Sequence, residues 1–260
     1  MKVTLVGGGA LGRRLASELA ADGARVTVLA PRRLELPGLW LQGEVVEGRG
    51  LRAAVRDADR VVWCAHRQQG LEELYEVGLR NVATAAQQVG ARLVVVAPRG
   101  AAPDASAPLR AVHKALHASQ GMVDSALMLP PLFGRQAHLL GPWIEDAEQG
   151  RALRVRRPEQ EIRPLWIGDA ASLVGLALQR SLGRLEVLGA STHSLGGLAD
   201  RVCELTGARR AWLPGLSPAR PLDLELLPEQ LRGRDDWPEE LPERTNAESF
   251  LRALLAGQDD

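Results

Sequence analysis

The segment that most constrains this chain opens it: Val3-Thr-Leu-Val-Gly7-Gly-Gly9-Ala-Leu-Gly12. A short apolar, β-branched run leads into a glycine turn, and a helical pattern starts at once. Gly7, Gly9 and Gly12 satisfy the spacing G-x-G-x-x-G, and in that setting each glycine has its own task. The first makes the tight turn, the second lets backbone approach a pyrophosphate, and the third lets the helix pack close to the strand. The free N–H groups and partial positive charge of the helix start then face the phosphates. A dinucleotide on Gly7, Gly9, Ala10, Leu11 and Gly12 is therefore the leading reading. A glycine turn that serves packing alone is the alternative, and the strand before the loop and the helix after it weigh against that.

The same rhythm continues for about 125 residues. Val3 to Val6, Arg25 to Leu29, Val61 to Cys64 and Leu93 to Val96 are short and Val-rich, as buried parallel strands are. Between them, Gly12 to Ala21 and Leu71 to Gln88 have helical apolar spacing, and Ser125 to Leu129 reads as a further strand before Pro130-Pro131. Strand and helix in alternation imply βαβ crossovers and an α/β, doubly wound parallel sheet (a Rossmann fold) in the order 3-2-1-4-5-6. Beyond residue 134 the alternation loosens. Helices are expected over Leu139 to Gly150, Ala170 to Arg180, Leu195 to Thr206 with Gly207 as C-terminal stop, and Ala247 to Ala256. Leu153 to Val155 reads as a strand in the basic stretch Arg151, Arg154, Arg156, Arg157, and Pro214 to Pro242 as connection. Asp169 reads first as the N-cap of its helix. The expected organisation is a dinucleotide-binding domain over 1–134, with 163–200 returning to it. Residues 135–162 and 201–260 then form a small C-terminal substrate-side subdomain.

Composition narrows the function classes. Hydrophobic residues make up 45% of the chain, which argues for a buried core rather than disorder. The formal net charge is +0, so the chain lacks the global attraction of a basic protein for nucleic acid or anionic lipid. No run of 18 apolar residues suggests a membrane span, and strand-like sequence from Lys2 leaves no apolar leader, so a cytoplasmic protein is expected. Cys64 and Cys203 match neither a metal-ligand spacing nor a disulfide framework and read as reduced thiols; no metal site is expected.

After the second strand come Ala30-Pro31-Arg32-Arg33, with no acid before Glu35. A site for NAD usually places Asp or Glu here to hold the ribose 2′-hydroxyl, whereas guanidinium groups grip a 2′-phosphate. Arg32 and Arg33 thus favour NADP, with NAD as the alternative cofactor and solvated surface as the bland reading.

With these pieces placed, residues 1–210 resemble the short-chain dehydrogenase/reductase superfamily in its extended (epimerase/dehydratase-like) or atypical branch. Ala58-Asp-Arg-Val-Val-Trp-Cys64-Ala65 looks like the fourth strand ending over the cofactor. Leu79-Arg-Asn-Val-Ala-Thr-Ala-Ala86 and Arg92 to Ala97 look like the long helix and fifth strand. Leu129-Pro-Pro-Leu-Phe133-Gly134 is similar to the loop beside the nicotinamide, and Trp166-Ile-Gly-Asp-Ala170 to the paired-aspartate helix start, with Gly168 replacing one aspartate. The resemblance implies cofactor contacts at Cys64, Ala65, Ala97 and Phe133.

The departures bear on chemistry. The family places a general-acid tyrosine four residues before a lysine. Here the one tyrosine is Tyr75, followed at that spacing by Leu79, while Lys114, at the lysine position, is preceded by Arg110. The family's serine falls on Ala97, Pro98 or Arg99, and the acid after the third strand is replaced by Gly48-Arg49-Gly50. Of 32 basic residues only Lys2 and Lys114 are lysine, which favours a specific use for Lys114, on the resemblance at the nicotinamide ribose, over a chance surface position. His113 and His117 share a helix face and His66 follows the fourth strand, so His113 and His66 join Lys114 as candidate catalytic residues. A solvated face is the bland reading of each, and the 113/117 spacing shows no third metal ligand. Arg135 and the 151–157 arginines suit an anionic substrate or a solvated surface. Two functions follow. One is an NADP-dependent oxidoreductase or epimerase-like enzyme on a small polar or anionic substrate, in a cleft lined by His66, Arg99, Lys114 and Phe133. The other is a non-catalytic NAD(P)-binding redox sensor. A homodimer is compatible with both.

Overall fold

The computed structural model describes residues 1–67, 69–100, 105–155, 157–211 and 234–255. Arg156, residues 214–233 of the Pro-rich connection and Ala256 lie outside the described residues. The chain divides into two compact units: Met1–Leu129 with Ala171–Val187, and Pro130–Ala170 with Leu188–Asp260. The segment returning to the first unit is thus 171–187, shorter than the 163–200 expected.

The first unit is built on β1 (Lys2–Val6), α1 (Ala10–Ala21), β2 (Arg25–Ala30), β3 (Leu39–Gln42), α2 (Leu51–Val55) and β4 (Arg60–Trp63). It continues with a helix over Leu71–Gln88, β5 (Arg92–Pro98), a helix over Ala107–Ala118 and β6 (Ser125–Leu129). The sheet runs β3-β2-β1-β4-β5-β6 and ends on a seventh strand, Gly183–Glu186, beside β6. Every pairing is parallel. The expected order is present, and the edge strand is an addition. Gly183-Arg-Leu-Glu has neither alternation nor a β-branched residue, so no local signal marks it. It is held by position instead: the Leu182 N–H donates to the Ser125 hydroxyl (2.9 Å) and the Val187 N–H to the Met128 carbonyl (3.1 Å).

The helix over 71–88 is not uniform. Leu74–Leu79 forms a π-helical turn between α-helical ends. Its buried residues include Leu74, Gly78, Val82 and Ala86 in one row and Tyr75, Leu79 and Ala83 in another. That spacing of four exceeds the 3.6 residues of an α-helical turn, so a straight helix would rotate the rows away from the core. One wider turn takes up the surplus.

In the second unit, Leu165–Trp166 pairs in parallel with Leu132–Gly134, which also pairs with Leu139–Leu140. Glu161–Ile162 pairs antiparallel with His193–Ser194. Helices Gly141–Glu148, Leu195–Thr206 and Ala247–Leu255 cover a core that includes Phe133, Ile144, Leu198, Phe250 and Leu251. The helix expected from Leu139 begins two residues later, because Leu139 and Leu140 are a strand. Gly207 ends its helix in the left-handed region, as expected.

Asp169 is a correction. Its helix starts at Ile167, so Asp169 sits inside the first turn rather than at the cap. The carboxylate is 5% exposed and accepts the Thr245 N–H (2.7 Å) and, more weakly, the Thr245 hydroxyl (3.4 Å), which anchors the approach to the last helix. Burial raises its pKa, and those two hydrogen bonds and the nearby Arg244 oppose the shift. The same approach is clasped by Arg244 on Asp235 (2.6 Å) and on the Leu188 carbonyl (2.8 Å).

The last helix is further tied by a polar chain. The Asn246 amide nitrogen donates to the Ser191 hydroxyl (3.0 Å), which lies 2.6 Å from His193 Nε2. Burial lowers the His193 pKa, against the opposing charge of Glu248. The sign follows: a folded-state pKa below the unfolded value near 6.5 favours the neutral ring, so its contribution is complete above about pH 6.5 and is lost as pH falls through the folded value. Thermal melts from pH 7.5 to 5 should show a steeper acid decline for the parent than for His193→Gln. Parallel declines would remove this linkage.

Candidate dinucleotide site

The glycine loop is shaped as its spacing demands. Gly7 lies at φ +116°, in the region that L side chains rarely adopt, and a Cβ there would stand 2.7 Å from the Cα and N of Ala65. A Cβ on Gly12 would overlap the Gly7 carbonyl oxygen. Gly9 differs: it has ordinary φ (−69°), is exposed, and a Cβ there would meet nothing within 4 Å. Gly7 and Gly12 are therefore fixed by packing, whereas Gly9 borders open space at the N-terminus of α1. That terminus has no side-chain cap and no acid in its first turn, so its N–H groups face outward. These observations fit a pyrophosphate, and Gly7, Gly9, Ala10, Leu11 and Gly12 are the residues that would hold it.

Cys64 and Ala65 follow β4 directly beneath this loop. Cys64 as a residue is partly exposed, but its S–H faces the carbonyls of Gly7 (3.3 Å) and Val6 (3.5 Å). Desolvation pushes the thiol up to about 12, so it stays protonated at neutral pH and serves as floor rather than nucleophile. Arg32 and Arg33 are both exposed beyond β2. A Cβ on Gly8 would overlap a Leu34 methyl, so Leu34 holds the arginine segment against the glycine loop. Sequence reading passed over Leu34; its one signal is an apolar residue between Arg33 and Glu35.

The remaining candidates are dispersed. Ala97 is buried on β5, opposite Met128 of β6. His66 is exposed on the loop after β4. Lys114 has a side chain 81% exposed and lies 3.9 Å from Glu76. With His113 and Arg110 it lines a groove of about 450 Å³ facing Glu72 and Glu76 of the π-containing helix. The i, i+4 acidic pair opposite the cationic helix face was legible but unused. Arg110, in the position of the family's tyrosine, is tied to the Ala105 carbonyl (2.7 Å).

Two placements differ from the expected cleft. Arg99 is 5% exposed, donates to the Val187 carbonyl (3.1 Å) and approaches Glu186 (3.9 Å), so it braces the edge strand instead of lining a cleft. The Phe133 ring is fully buried in the second unit's core, edge-on to Phe250 at 5.4 Å between centroids. Among the described residues no cluster of His, Cys, Asp and Glu could hold a metal, and no helix is long and apolar enough to cross a membrane.

Tyr75 is enclosed with Trp63 (5.5 Å between ring centroids), and its hydroxyl donates to the Val96 carbonyl (3.2 Å). Burial raises its pKa well above the ordinary value. Tyr75→Phe should lower stability by about 1 kcal/mol, for one lost hydrogen bond, and leave any activity nearly unchanged. A large activity loss with the fold intact would place Tyr75 in the chemistry.

Compared by sequence with curated proteins, the chain matches none. Residues 1–80 match a family described as NAD(P)-binding. Among solved structures, WbmH from Bordetella bronchiseptica in complex with NAD+ aligns over 98% of this chain and 97% of its own, at TM-score 0.72 and 17% identity. The UDP-glucose 4-epimerase of Thermotoga maritima, solved with UDP-glucose, covers 83% of this chain and 87% of its own at TM-score 0.69 and 12% identity. That of Thermus thermophilus, in complex with NAD, covers 81% and 85% at 0.68 and 19%. The first 80 residues thus match an NAD(P)-binding family, and the chain has the Rossmann-type α/β fold of the extended short-chain dehydrogenase/reductase enzymes, the NAD-dependent epimerases and dehydratases.

Proposed function

We propose that the chain binds NADP on the Gly7–Gly12 loop and acts as an oxidoreductase or epimerase-like enzyme on a small polar or anionic substrate. The observation that carries the reading is the open space at Gly9 beside two exposed arginines pinned to the same loop through Leu34. Arg32 and Arg33 would grip the 2′-phosphate, and the α1 N–H groups the pyrophosphate. A nicotinamide cofactor supplies hydride transfer. His66 and His113 are the proposed proton carriers, and Lys114 the proposed ribose ligand. A cytoplasmic homodimer with reduced cysteines completes the proposal.

The second reading, a sensor whose occupancy a partner reads, is favoured by two observations. The chain's tyrosine is sealed against Trp63, and the family's tyrosine position holds Arg110 tied to backbone. Incubating the protein with NADPH and a panel of small carbonyl compounds separates the two. Oxidation of NADPH supports the enzyme; tight binding of both redox forms without turnover supports the sensor. Failure to bind either nucleotide would overturn both.

Lys114 is tested separately. If its ammonium meets the ribose, Lys114→Ala should weaken NADPH binding about tenfold, the scale of one charge-assisted hydrogen bond, with apo melting unchanged. Lys114→Arg should rescue only partly, because a planar fork does not reproduce a compact donor. Identical fluorescence titrations for all three proteins would remove Lys114 from the site.

A further inference from the structure

The second unit contains a polar group that no cofactor reading uses. Ser191 Oγ lies 2.6 Å from His193 Nε2, and the Asn246 amide nitrogen lies 3.0 Å from the same oxygen. The neighbours of Asn246 set the first of these hydrogen bonds. Asn246 Oδ1 already accepts the Glu248 N–H (2.8 Å), which leaves the amide nitrogen to donate to Ser191. The Ser191 hydroxyl, accepting from Asn246, keeps its own proton for a further partner, and at 2.6 Å His193 Nε2 receives it in the neutral tautomer that carries the ring proton on Nδ1. Burial of His193 keeps the ring neutral, and the nearby Glu248 carboxylate favours the charged ring that forms once a proton arrives.

A hydroxyl aimed at a neutral imidazole within 2.6–3.2 Å, with a charge to stabilise the resulting imidazolium, is the arrangement of an activated nucleophile. The parts are held in place. His193 is on a strand paired with Glu161–Ile162, Asn246 opens the last helix, and Ser191 is partly exposed. We infer that Ser191, His193 and Asn246 form a second chemical site, at which Ser191 Oγ attacks the carbonyl carbon of an ester.

The step balances without a redox partner. As the Oγ–C bond forms, the hydroxyl proton moves to His193 Nε2 and the carbonyl π pair moves onto the carbonyl oxygen, while the Asn246 N–H holds Ser191 in position. The bond from carbon to the leaving oxygen breaks, and His193 returns the proton to that oxygen. Water, deprotonated by the same nitrogen, then attacks the acyl-serine; the Oγ–C bond breaks, the acid leaves, and His193 returns the proton to Ser191 Oγ. The class of substrate is an acyl ester.

The test uses p-nitrophenyl acetate and the full chain. Peptide mass spectrometry should find acetyl on Ser191, and p-nitrophenolate release should fall at least tenfold in Ser191→Ala. His193→Ala should lose as much, and should lose the acetyl on Ser191 while melting like the parent, which a merely structural histidine would not allow. Acetylation of the parent at Ser191 can be read without any variant, so misfolding of a mutant does not blunt the test. No acetyl on Ser191 in the parent, or release by folded Ser191→Ala at the parental rate, overturns the inference.

Discussion

Gly9→Ala should fold like the parent and lose the dinucleotide, whereas Gly7→Ala should lose both fold stability and binding. The contrast follows from the surroundings of each glycine. Gly9 has a conformation any residue adopts and free space around it, so a methyl group there costs only the capping preference of Gly over Ala, about 1 kcal/mol or less. That methyl would occupy the space through which a pyrophosphate must approach the backbone, and binding should drop by a hundredfold or more, about 3 kcal/mol. Gly7 combines φ +116° with a Cβ position 2.7 Å from Ala65 backbone. Strain and overlap each cost roughly 1–3 kcal/mol, so about 2–6 kcal/mol of stability should disappear. Thermal melts and NADPH titrations of the three proteins read both effects. Unchanged binding in Gly9→Ala would mean that the loop does not hold the nucleotide.

The next largest effect is expected at the end of β2. Replacing Arg32 and Arg33 together by Ala should weaken NADP by ~10–100-fold, for one charge-assisted contact worth about 1.5–3 kcal/mol. NAD, lacking the 2′-phosphate, should be nearly unaffected, and the thermal stability of the apo protein should hold because both side chains are exposed. Salt should narrow the same preference, since exposed charges are screened. Equal or tighter binding of NAD by the parent would dismiss the assignment before any variant is made.

These outcomes depend on features that were unequally visible in the sequence. The glycine loop was visible because its backbone demands are written in residue type, and β1, β2, β4, β5 and β6 because buried parallel strands are short and apolar; β3, Leu39–Gln42, has no buried residue and no run marked it. The seventh strand was not, since Gly183–Glu186 owes its pairing to Ser125 and Met128, far away in the chain. Phe133 shows the opposite failure. Its place after β6 matched a cofactor loop, yet the ring is drawn into a core with Phe250, more than a hundred residues later. Asp169 looked like a cap because capping is local, and its actual partner, Thr245, is not. Local rules located the glycine loop; long-range packing decided which remaining candidates are buried and which are exposed. The serine–histidine pair escaped notice because Ser191 and His193 are ordinary at a spacing of two, and their third member, Asn246, lies far along the chain.

That seventh strand also sets a timetable for biosynthesis. A ribosome delivers β1 to β6 by Leu129, but Gly183–Glu186 emerges only after residues 130–170 of the other unit. At ordinary elongation rates the interval is on the order of several seconds, long compared with collapse or hairpin formation. Throughout it, β6 presents an unpaired edge from a strand whose Leu127, Met128 and Leu129 end in the core. Such an edge is a template for pairing with another nascent chain. Leu129-Pro130-Pro131 follows immediately, and proline cannot donate to a sheet ladder, so the exposed ladder stops there. The prolines that end the strand in the finished protein thereby also limit its reach while it waits for its last neighbour.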